Sequence, residues 1–161
     1  NGRKVIVHGD GSSLWTLTHN TDFAKAFVGL MGNSHAIGEA LQITSDESLT
    51  WNQIYEIIGS ALGAKPHIVH IPSEALAKAN PDFEGGLLGD KSHTVIFDNA
   101  KLKRLVPGFT ATVRFDQGVK STLAYILSHK ELQKPDPEFD AWTDRMIKAY
   151  EAFENSIPKY E

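Results

Sequence analysis

Leu49-Thr50-Trp51-Asn52-Gln53-Ile54 constrains this chain more than any other stretch. Thr50 and Gln53 have the spacing of a capping box, in which each side chain takes the other residue's free backbone N–H. Leu49 and Ile54 flank the box as a hydrophobic staple. A helix must therefore start here, with Trp51, Ile54, Tyr55, Ile58 and Leu62 at helical spacing and Gly63 as its stop. β-rich runs stand on either side, ALQIT at 40–44 and HIVHI at 67–71. Strand, helix, strand is the grammar of an α/β or α+β fold.

The rest of the chain repeats that grammar. KVIVH at 4–8 reads as a strand closed by a Gly9-Asp10-Gly11 turn, and 15–18 as a short extended piece. Asn20 or Thr21 is expected to cap a helix that puts Phe23, Phe27, Leu30 and Met31 on one face. Ser73 is expected to cap a helix over 73–79. A glycine-rich loop at 80–90 and a strand at 94–97 follow. Helices are expected at 99–105, with Asp98 as N-cap, and at 115–129, with Val119, Leu123, Ile126 and Leu127 inward. A last helix, 138–153, carries a stripe of Phe139, Trp142, Met146, Tyr150 and Phe153. That makes short strands with about five or six helices.

Composition excludes several classes of function. There are no cysteines, so disulfides and thiolate chemistry are out, as suits a cytoplasmic protein. No apolar run reaches membrane-spanning length, and no secretory leader pattern opens the chain. The net charge is −4, and Lys101, Lys103 and Arg104 form only a short basic cluster, so nucleic acid is not an expected partner. Asn1 leads almost at once into a strand, so residues 1–161 read as one region of a longer protein.

No catalytic constellation emerges from the residues. The seven histidines include no His-Glu-x-x-His, and His67 and His70 fall on opposite faces of a strand, so no metal site is expected. There is no Gly-x-Ser-x-Gly elbow and no Tyr-x-x-x-Lys pair. Gly85-Gly86-x-x-Gly89 has no helix pattern after it and makes a poor nucleotide cradle. What remains are aromatic residues, glycine-rich turns and a few polar groups, the profile of a binding part.

Three stretches in order carry a resemblance. VIVHGDGSSLWTLTHNTDFAKAF contains His19, Asp22 and Ala24 of a His-x-x-Asp-x-Ala helix start. GEALQITSDESLTWNQIYEIIGSALG contains Gly38, Glu39, Gln42 and Ile43 of a Gly-Glu-x-hydrophobic-Gln-Ile strand. LLGDKSHTVIFDNAKLKRLVPGF contains Gly89-Asp90 and Asp98-Asn99-x-Lys101. Over about residues 4–127 the chain resembles the C-terminal half of extended short-chain dehydrogenase/reductases, the NAD-dependent epimerase/dehydratase family.

The resemblance implies a C-terminal, substrate-binding region of a Rossmann-type enzyme that uses NAD or NADP. The family's dinucleotide fingerprint and Tyr-x-x-x-Lys pair would lie upstream, so this chain alone is expected to supply no catalytic residue and to hold no cofactor. Residues 18–45 would complete the sheet of the missing N-terminal half. Without that half they leave apolar surface to be covered by it or by self-association, as in a homodimer. Nucleotide-sugar members grip the diphosphate with one arginine after Gly-Asp-Gly and a second before the later Gly-Asp. Here those places hold Leu14 and Leu87 or Leu88, which implies a small-molecule substrate other than a UDP- or dTDP-sugar. His8, Leu14, Trp15, Leu88, Lys91 and His93 are the expected substrate-binding residues. The alternative is a non-catalytic relative that binds RNA or a protein partner.

Overall fold

The structure, a computed structural model, describes residues 2–160; Asn1 and Glu161 lie outside the described residues. Strand β1 (Lys4–His8) pairs in parallel with β4 (His67–Ile71), in a register that sets Val7 against His70 and His8 against Ile71. A parallel pair needs a long crossover. Here the crossover contains helix α1 (Asn20–Leu30) and helix α2 (Trp51–Ala61). A second, minimal antiparallel pair joins β2 (Leu14–Trp15) to β3 (Leu49–Thr50). It anchors the chain after the Gly-Asp-Gly turn to the start of α2. After β4 come α3 (Ser73–Ala79), a single turn α4 (Glu84–Gly86), α5 (Ala100–Leu105), α6 (Phe115–Ser128) and α7 (Pro137–Ser156).

The capping box forms as expected. The Gln53 N–H donates to the Thr50 hydroxyl at 3.1 Å, and the Thr50 N–H to the Gln53 side-chain oxygen at 2.9 Å. Val7 of β1, Ile71 of β4, Leu49, Ile54 and Leu76 are buried. A second cluster unites Ala26 of α1, Leu102 of α5 and Phe109, flanked by Leu30, Ile43 and Val106. Asp22 ties this layer down. It is buried, and its carboxylate accepts from the N–H groups of Thr112 and Val113 and from the Lys25 ammonium. Burial alone would raise the Asp22 pKa, but these donors hold it at about 2.

Several elements differ from expectation. Residues 40–44 and 94–97 are not strands. A strand exists only as a rung of a ladder. Among the described residues no second strand lies against 40–44, and the one backbone–backbone bond between 94–97 and β2 is a 3.5 Å bond from the Val95 N–H to the Leu14 carbonyl. The 80–90 segment is helical where a loop is expected, with α4 running into a π-helical turn over Leu87–Lys91. It brings the α-helices among the described residues to seven. The cap of α1 is His19, whose Nδ1 accepts from the Thr21 N–H, rather than Asn20 or Thr21. Ser73 is the first residue of α3 and makes no cap bond, because Pro72 occupies the cap. Leu127 of α6 faces out.

The orientation of α1 is the most informative difference. Its inward face is small, with Ala26 buried and Gly29 packed so closely that an added Cβ would lie 2.6 Å from Val106. Phe23, Phe27 and Met31 point away from the core and are 46%, 53% and 67% exposed. With Leu41 and Ile43 they line an open groove of about 530 Å³.

Candidate functional site

β1 delivers His8 to the point where the Gly9-Asp10-Gly11 turn begins. The two glycines have φ of +59° and +70°, a region that disfavours side chains. Gly11 also lies where an added Cβ would meet the Asn52 side chain at 2.2 Å. The turn is stitched to α2: the Asn52 amide donates to the Asp10 carbonyl at 2.9 Å, and the Asn52 N–H to the Gly11 carbonyl at 3.1 Å. Three N–H groups at the turn are spent internally. Gly9 donates to Ile71, Gly11 to His8, and Ser12 to the Asp10 carboxylate. These residues therefore do not fit a dinucleotide phosphate, which needs several free N–H groups converging on it.

Two cavities meet at His8. The larger, about 520 Å³, is walled by Trp51, Tyr55, Phe83 and Trp142, with Lys91 at its edge. Phe83, Phe139 and Trp142 form an aromatic cluster with centroids 5.6–6.4 Å apart, which brings α7 against the 83–91 turns. Arg3 and Lys4 also border the cleft, but acids of α7 pair with them: Asp140 and Asp144 with Arg3 at 2.7 Å, and Glu151 with Lys4. Lys91 is less committed, 3.4 Å from Asp90 and 5.4 Å from the centre of the Trp15 ring. The smaller cavity, about 170 Å³, lies under the turn and is polar.

His8 is buried and packs edge-on to Trp51 at 5.1 Å, while Trp51 lies 5.6 Å from Trp15. Burial first, and the Lys91 charge second, lower its pKa from the ordinary histidine value, which favours the neutral imidazole. Three buried side-chain atoms here have no hydrogen-bond partner: His8 Nε2, Trp51 Nε1 and Ser92 Oγ. Leaving such an atom unpaired costs about 1–3 kcal/mol, so their concentration at one place calls for a functional reason.

Of the residues expected at the site, the structure brings His8, Trp15 and Lys91 together. Leu14 acts through its backbone: its N–H donates to the Thr94 hydroxyl at 3.1 Å. Leu87 rather than Leu88 lines the cleft. The Leu88 carbonyl lies 3.0 Å from Nε2 of His93, which is otherwise exposed. Sequence reasoning passed over Trp51, Ser73, Phe83, Ser92 and Trp142 as site residues. Trp51 carried a signal, a large aromatic at the first position of a firmly capped helix; the others meet only through tertiary packing. Among the described residues no group of three or more His, Asp or Glu is placed to hold a metal ion.

No family model matches the chain. A 2'-dehydrokanamycin reductase of Streptomyces kanamyceticus is 31% identical over 109 residues, covering 67% of this chain and 30% of that protein. An epimerase from Methanothermobacter thermautotrophicus has a similar structure, with a TM-score of 0.64 at 21% identity, covering 81% of this chain and 34% of that one. A dTDP-glucose 4,6-dehydratase from Bacillus anthracis, solved in complex with NAD, gives 0.60 at 21% identity, covering 81% and 36%. The chain thus spans about a third of the length of the proteins it matches.

Proposed function

We propose, from the premise that this chain belongs with the NAD-dependent epimerase/dehydratases (the extended short-chain dehydrogenase/reductases), that it forms the substrate-binding portion of an NAD(P)-dependent oxidoreductase acting on a substrate other than a UDP- or dTDP-sugar. The observation that carries this reading is the state of the cations. Arg3 is tied up by α7, Leu14 and Leu87 stand where arginines would grip a diphosphate, and Lys91 alone is loosely held. A diphosphate asks for bidentate guanidinium groups, and the cleft offers none that is free. The 31% identity to a protein that carries the name of an aminoglycoside reductase supports the same direction.

The nicotinamide cofactor supplies hydride transfer when bound. This reading assigns it to another part of the protein, together with the acid/base tyrosine. The residues of this chain orient the substrate: aromatic faces of Trp51 and Trp142 flank it, neutral His8 and Lys91 meet its polar groups, and α7 excludes water from one side. The groove beside Phe27 is where the nucleotide-binding half or a second copy docks in this proposal.

The test is turnover by the protein that joins this chain to a nucleotide-binding half. With NADPH or NADH, oxidation is expected with a keto-aminoglycoside and not with UDP- or dTDP-linked keto sugars. Turnover of the nucleotide sugars alone would overturn the reading.

A further inference from the structure

The small polar cavity under the Gly9-Asp10-Gly11 turn is unlike the aromatic cleft beside it. His8, Asp10, Ser13, Ser73, Ser92 and Thr94 line it. His8 is 9% and Ser73 4% exposed, so its floor is buried. His8 Nε2 and Ser92 Oγ are both without a partner there. Ser13 and Thr94 are held in place by bonds to the backbone, the Ser13 hydroxyl donating to the Lys91 carbonyl at 2.7 Å and the Thr94 hydroxyl accepting from Leu14. No lysine or arginine lines the cavity. Asp10 accepts from Ser12 at 2.6 Å and 2.9 Å, and no ion pair to it exists among the described residues.

These groups define a ligand by exclusion and by match. A phosphate needs cations or free N–H groups, and meets a carboxylate instead. Nε2 of a neutral imidazole donates or accepts according to its tautomer, and a serine hydroxyl does both. Their natural complement is another group that does both, a hydroxyl. The Asp10 carboxylate accepts from hydroxyls and from ammonium groups alike. The volume equals about six waters at roughly 30 Å³ each, room for the edge of one six-membered ring. His8 is shared with the aromatic cleft, so a ligand seated here extends toward Trp51.

We propose that this cavity is a recognition subsite for a hydroxylated, unphosphorylated ring, a sugar or aminocyclitol, read by His8 Nε2, Ser92 Oγ and the Asp10 carboxylate. The inference rests on the substrate reading above and names the chemistry that would decide it. It turns unpartnered polar atoms from a cost of folding into the specificity device of the site.

The probe is kanamycin, a set of amino-substituted, hydroxylated rings without phosphate, titrated calorimetrically into the 161-residue chain, with UDP-glucose as control. Saturable binding of kanamycin and none of UDP-glucose is the expected result. Ser92→Ala should weaken kanamycin binding at least tenfold while leaving Tm unchanged or higher, because the hydroxyl it removes has no partner in the free protein. Asp10→Asn, which keeps an acceptor for Ser12, should weaken it as well. No saturable heat with kanamycin, an unchanged affinity in Ser92→Ala, or preference for UDP-glucose would each overturn the subsite. The oxidoreductase reading stands or falls separately, on nicotinamide turnover.

Discussion

The β1–β4 layer and the α1 layer both draw on apolar sequence and end differently. Around β1 and β4, Val7, Ile71 and Leu76 are buried, the capping box of α2 is complete, and the turn after β1 is stitched down by Asn52. In the α1 layer, Asp22, Ala26, Leu102 and Phe109 pack inward, but Phe23, Phe27 and Met31 face outward beside 40–44, a β-rich run with no strand against it. The first layer buries its apolar side chains within this chain. The second is satisfied on one side only. Helix α1 therefore has two apolar faces, one of small residues packed against this chain and one of large residues left exposed.

The sharpest way to test that asymmetry is to shave each side of it. Leu102→Ala should cost about 3 kcal/mol, since it empties a fully buried position between α1 and α5; chemical denaturation measures it. Phe27→Ala removes a larger side chain from the opposite face and should cost less than about 1 kcal/mol. Equal losses from the two would break the comparison.

Asp22 offers a second test, by pH. Its folded pKa of about 2 lies below the usual carboxylate value, so it stabilises the fold above about pH 4 and loses that contribution as pH falls through 2. Asp22→Asn should lower stability at pH 7 by about 2 kcal/mol and flatten the acid limb of the stability curve between pH 4 and 2. An unaltered acid limb would remove Asp22 from its role as the clasp of α1. A smaller effect than that of Asp22 is expected in the closed layer. Thr50→Ala deletes half of the capping box and should cost about 1 kcal/mol, read as a fall in Tm, while Gln53→Ala costs less.

Legibility in the sequence follows the same division. The start of α2 was readable because its partners are neighbours in the chain, Thr50 with Gln53 and Leu49 with Ile54. β1 and β4 were readable from β-branched runs, and both form because they pair with each other. The run at 40–44, with Ile43 and Thr44 as its β-branched residues, forms no strand, since a ladder depends on what lies beside it. The glycines at 85, 86 and 89 suggested a loop, yet the backbone coils helically there, with Leu87 against the aromatic cleft. At the site, His8, Trp15 and Lys91 were named from motif positions. Ser73, Ser92 and Trp142 were not, because nothing in the local sequence says that residues so far apart share a cavity wall.

The measurement that bears most directly on the account is amide hydrogen exchange of this chain alone and of the same chain joined to a nucleotide-binding half. The account predicts that amides of β1 and β4 are protected in both states, while those of 40–44 exchange fast alone and become protected in the joined protein. Fast exchange at 40–44 in both states would mean that the outward face of α1 is not where the other half docks, and would contradict the reading of this chain as one part of a two-part oxidoreductase.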